Sequence, residues 1–115
     1  MKTTRRILLL SAVVAAFALP SFAEKETPTR TVKGLVASET DQPLAKAVVQ
    51  LKNTKTLDVR SYHTDDQGRF YFSGLDLNVD YEVRAIADGY KPKTRRVSTF
   101  DDRNELFYEF RLKSE

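Results

Sequence analysis

Thr64-Asp65-Asp66-Gln67-Gly68-Arg69-Phe70-Tyr71-Phe72-Ser73-Gly74-Leu75 reads as a turn followed at once by an alternating run. The Asp side chains can bond backbone amides two residues on, and Gly68 tolerates the positive φ that a tight loop requires. Phe70 and Phe72 then repeat with a period of two, so both rings share one face of a strand and Tyr71 takes the other. A helix would need apolar residues three and four apart, and no segment after Ala23 sustains that spacing.

The same period extends in both directions. In a first strand Val32, Gly34 and Val36 alternate with Lys33 and Leu35, and in a second Ala47, Val49 and Leu51 alternate with Val48, Gln50 and Lys52. Asn53-Thr54-Lys55-Thr56 turns the chain into a third strand over about 57–64, where Val59 and Tyr62 compete for the inward face. The Phe70–Phe72 run is the fourth. Beyond a polar loop, 76–80, Tyr81, Val83 and Ala85 mark a fifth, which ends at Asp88-Gly89. A sixth over 90–98 contains Pro92, which lacks an amide hydrogen and belongs at an edge or bulge. In the seventh, Leu106, Tyr108, Phe110 and Leu112 face one way, and Glu109 and Arg111 the other. Short strands punctuated by turns predict an all-β, seven-stranded β-sandwich.

The N-terminus reads differently. Lys2, Arg5 and Arg6 precede an apolar run over 7–19 interrupted only by Ser11; Pro20 and Ser21-Phe22-Ala23 follow. That order predicts a cleavable signal peptide, 1–23, and an exported protein, secreted or periplasmic. A membrane anchor is the alternative, but spanning a bilayer takes about 20 apolar residues, so no stable membrane insertion is expected after cleavage. Residues 24–30, EKETPTR, read as a flexible leader and 31–115 as one domain. Three of the 19 basic residues lie in 1–23 and none of the 16 acidic ones, leaving 16 of each and no basic footprint for nucleic acid. The chain has no cysteine, so the domain must hold together by packing, without disulfides.

Val32-x-Gly34-x-Val36, Pro43-Leu44-x-x-Ala47-x-Val49-x-Leu51, Thr64-Asp65-x-x-Gly68-x-Phe70-x-Phe72-x-Gly74-Leu75 and Tyr81-x-Val83-x-Ala85-x-x-x-Gly89-Tyr90, in that order, resemble a carboxypeptidase regulatory-like domain. The resemblance covers about residues 31–112. It implies a transthyretin-like (prealbumin-like) Greek-key sandwich of the kind that serves as an accessory module in secreted and cell-surface proteins. Matching such a pattern licenses fold further than activity. Relatives of this fold that form internal isopeptide bonds place an acid where Ala85 stands, so no such bond is expected.

Candidate chemistry is sparse. His63 is the only histidine, so neither a zinc site nor a nucleophile–histidine pair finds its usual partners. Asp65-Asp66 and Asp101-Asp102 lack the spacing that wraps calcium and read as turn caps. No catalytic residue, metal ligand or cofactor is assigned, and the chain reads as a non-enzyme. If Phe70, Phe72, Tyr108 and Phe110 point inward, Tyr71, Phe107 and Tyr90 point outward, where rings can stack on sugars or bury against a partner. The expected function is a binding or protein-interaction module with a protein or carbohydrate partner. Its alternatives are a carbohydrate-binding domain using Tyr71 and Phe107, and a structural envelope protein that self-associates, as a homodimer through edge strands.

Overall fold

The computed structural model describes residues 28–115, and the expected signal peptide lies outside them. Seven strands and no helix form among the described residues: β1 (Thr29–Ser38), β2 (Val48–Asn53), β3 (Val59–His63), β4 (Arg69–Asp76), β5 (Tyr81–Ile86), β6 (Lys93–Val97) and β7 (Glu105–Leu112). They make a three-stranded sheet, β4-β1-β7, and a four-stranded sheet, β3-β2-β5-β6. Both hairpins, β2-β3 and β5-β6, stay within the larger sheet. Every other connection changes sheet, and β1 and β7 pair in parallel from Thr31↔Glu105 to Ser38↔Leu112.

Alternation decides which side chains fill the space between the sheets. Val32, Val36, Phe70, Phe72, Leu106 and Phe110 come from one sheet and Val49, Leu51, Tyr81, Val83, Ala85 and Val97 from the other, all buried. Phe70 lies 5.9 Å from Phe110 and 6.2 Å from Phe72, centroid to centroid, in tilted packing. Gly34 makes this possible: a Cβ there would sit 1.8 Å from the Tyr108 carbonyl oxygen and 2.9 Å from Phe70 Cζ. The period breaks once, in β4. Arg30 pairs with Leu75 and Val32 with Phe72, so Ser73 and Gly74 together oppose Thr31 in a bulge. Gly74 takes φ 70, and the extra residue turns Leu75 back into the core, fully buried.

The sequence placed residues 29 and 30 in a flexible leader; the structure places them in β1. The period that buries Val32 also carries Arg30 inward, where it is only 1% exposed. Its guanidinium donates to the carbonyls of Arg103 (Nε, 3.0 Å), Ser98 (Nη1, 3.0 Å) and Asp101. The third and sixth strands are shorter than expected, the sixth starting directly after Pro92. Tyr62 wins the contested inward side of β3, edge-on to Phe72 at 6.0 Å, and Val59 faces out. Tyr108 is half-buried rather than buried, with the Arg95 guanidinium 4.8 Å from its ring centre.

Candidate functional site

Lys33 is the middle of a row on the outer face of the three-stranded sheet. It pairs with Tyr71 of β4 on one side and Phe107 of β7 on the other, so the three side chains emerge side by side. Tyr71 is 49% exposed and Phe107 58%. Two strand spacings, about 9.6 Å, separate the backbones that carry the rings. Lys33 Nζ lies 3.5 Å from Glu105 at the edge of the row. A groove of about 270 Å³ runs beside it, lined also by Tyr62, Asp65 and Arg69. The Arg69 amide foremost, with the Arg69 side chain and the Gln67 amide, holds the Asp65 carboxyl below its ordinary value of 3.8. This rim stays charged, and its cation–carboxylate pair is already satisfied.

The three ring positions read from the sequence do not stay together. Tyr71 and Phe107 share the row, while Tyr90 lies elsewhere, half-buried against the core and bridged to Ser114. The turn that precedes it, with Gly89 at φ 82, resets the alternation from which its outward direction was read. The sequence reading also passed over Phe100, 96% exposed, and Leu57, 62% exposed with φ 67. Phe100 stands in a turn and Leu57 in the connection before β3, where the sequence reading had already begun the third strand, and in neither place does a period of two carry information.

The loop that bears Phe100 is braced. Arg30 holds three of its carbonyls, and the Asp80 carboxylate accepts from the Thr99 amide at 2.7 Å and Arg96 Nη2 at 2.9 Å. The Arg96 guanidinium first, then the Thr99 amide, keep Asp80 below the ordinary carboxylate range. The Arg103 side chain does the same for Asp101. Asp101 accepts from the Arg103 amide and Asp65 from the Gln67 and Arg69 amides, the turn-capping expected of them, whereas Asp80 was not singled out in the sequence. His63 is exposed on β3, and among the described residues no three His, Cys, Asp or Glu side chains gather as a metal site. The surface offers two flat rings, a cation between them and amide-rich turns. Those groups stack, hydrogen-bond and exclude water.

The family model of the carboxypeptidase regulatory-like domain matches residues 31–113. The chain belongs to this family. The carboxypeptidase regulatory-like domain is a regulatory, non-catalytic one, and its motif residues here act on one another. Thr64, buried, accepts from the Ala47 amide at 2.8 Å and donates to the Leu44 carbonyl at 2.6 Å. The Leu44 amide donates to the Val36 carbonyl, and the Val36 amide to the Gly68 carbonyl. The Pro43-Leu44-x-x-Ala47 and Thr64-Asp65-x-x-Gly68 segments are thus two halves of one clasp that ties β1 to the β3–β4 turn.

Solved structures share the fold of this regulatory-like domain. The TIE protein of Bacillus anthracis aligns with a TM-score of 0.64 at 12% identity, covering 98% of this chain and 20% of its own. Catechol 1,2-dioxygenase from Acinetobacter sp. ADP1 gives 0.61 at 14%, covering 82% and 55%, and the group B streptococcus pilus 2b backbone protein 0.58 at 16%, covering 75% and 41%. The chain therefore spans about half of these proteins or less, and the likeness is one of fold. No curated protein matches the chain in sequence.

Proposed function

We propose that this domain is an exported, non-catalytic module that binds a protein partner through the outer face of its three-stranded sheet. The observation that carries the reading is the Tyr71–Lys33–Phe107 row, set side by side by strand register. Rigid aromatic side chains lose little conformational freedom on binding, and large exposed rings are the anchors of interfaces. Export rests on the charged, apolar, small-residue order of residues 1–23. Family membership in a regulatory-like domain supports an accessory role.

A carbohydrate partner is the second reading, favoured by the two rings spaced across a flat sheet with Lys33 between them. One pair of samples tests both. The wild-type domain and a Tyr71→Ser/Phe107→Ser variant are immobilised and exposed to the exported protein fraction, and both are applied to a glycan array. The expected result is a protein retained by the wild type and lost by the variant at unchanged melting temperature. Glycan signal that vanishes in the variant, without protein capture, transfers the conclusion to the second reading. Equal retention by both samples overturns the role of this face.

A further inference from the structure

Four strand edges border the sandwich, and three of them are defended. The free edge of β4 lies under β3, where Tyr62 covers Phe72 and Arg60 Nη1 donates to the Ser73 carbonyl at 3.4 Å. The edge of β7 is covered by β6 through Tyr108, whose hydroxyl meets the Arg96 carbonyl at 3.5 Å beneath the Arg95 guanidinium. The outer edge of β6 follows Pro92 and carries Lys93, Arg95 and Arg96. Charges and proline are how strand edges resist pairing. β3, Val59-Arg60-Ser61-Tyr62-His63, has none of this: it is the last strand of its sheet, all five residues are exposed, and only one is a fixed charge.

The backbone of β3 sorts itself by alternation. The Asn53 amide donates to the Asp58 carbonyl and the Thr64 amide to the Ala47 carbonyl, so residues 58 and 64 aim their polar groups at β2. Arg60 and Tyr62 share that direction, opposite Leu51 and Val49. The amides and carbonyls of Val59, Ser61 and His63 therefore point away from the sheet, where no described strand receives them.

We propose that β3 pairs antiparallel with β3 of a second copy about a two-fold axis at Ser61. This register sets Ser61 against Ser61, Val59 against His63 and Arg60 against Tyr62, so every outward amide and carbonyl finds a partner and each guanidinium meets a ring. A shift by two residues in one direction would put Arg60 against Arg60, and in the other would leave Val59 outside the ladder. The same operation on β6, centred at Arg95, opposes like charges. β3 is thus complementary to itself and β6 is not. The contact continues the four-stranded sheet into one of eight and does not use the Tyr71–Phe107 face, which lies on the other sheet. Such an edge contact is smaller than a standard interface, so a dimer that forms and dissociates with concentration is expected.

The test uses the absence of cysteine from the chain. The register brings the two residues 61 to a Cα separation of about 5.5 Å, within disulfide reach. Ser61→Cys is expected to form a covalent dimer under mild oxidation at least tenfold faster than Val59→Cys, which faces residue 63 instead. A mixture of Val59→Cys and His63→Cys chains should cross-link as mixed dimers. Ser61→Pro removes only an outward amide and should abolish concentration-dependent association in sedimentation while the melting temperature stays. A wild-type monomer at about 1 mM, equal cross-linking at 59 and 61, or association that survives Ser61→Pro would each overturn the proposal. If Ser61→Pro fails to fold, the cysteine rates decide alone. Loss of binding in the Tyr71→Ser/Phe107→Ser variant leaves this dimer untouched, so the two conclusions stand or fall separately.

Discussion

Arg30 is the residue whose role is largest relative to its visibility in sequence. Its guanidinium donates to three carbonyls of the loop after β6 and is almost wholly buried. Arg30→Ala orphans those acceptors and is expected to lower unfolding free energy by about 2–4 kcal/mol in urea titration, with hydrogen exchange accelerated over residues 98–104. Arg30→Lys, a point charge without the fork, should recover only part. The glycines separate by cause. Gly34→Ala drives a methyl into the Tyr108 carbonyl and is expected to cost more than about 3 kcal/mol, whereas Gly74→Ala, at φ 70 with open space around it, should cost about 1–2 kcal/mol.

At the scale of elements, all seven strands and the inward faces of β1, β2, β4, β5 and β7 were legible, because alternation and turn chemistry agree there. The β3 face was not, since Val59 and Tyr62 are both apolar and only the overhang above β4 chooses between them. Arg30 was legible in principle: it stands two residues before Val32, on the same parity, but a polar segment hid it. Of the candidate site, Tyr71 and Phe107 followed from strand parity. Tyr90 and Phe100 did not, because turns interrupt the count. The bulge offers the sharpest check at this scale. Deleting Ser73 removes the extra residue and leaves Leu75 opposite Arg30 on the inward face, so the fold should survive it, whereas Leu75→Ala empties that core position. For Leu75→Ala an expected loss of about 2–5 kcal/mol, the range for a buried leucine cut to alanine, is readable as a fall in the denaturation midpoint.

For the whole molecule, acid is the condition that loosens the loops. Asp65, Asp80 and Asp101 all have folded values below the ordinary 3.8. Each therefore binds protons more weakly folded than unfolded. Their contribution is complete above about pH 5 and is lost progressively as pH falls through 3.8 toward the folded values. The melting temperature should thus be nearly flat from pH 7 to about 5 and decline below 4. Because these carboxylates are exposed, added salt should shrink that decline.

The parallel pairing of the first strand with the last sets how the molecule comes into being. β1 sits between β4 and β7, and its register partners in β7 are more than seventy positions away along the chain. Nothing nearer in sequence can shield that flank of Val32 and Val36. A polypeptide ending before Glu105 is expected to show no cooperative melting by circular dichroism. Ribosomes deliver a protein from its N-terminus, so here the six strands before β7 must wait in an open state, and closure comes as a single late event.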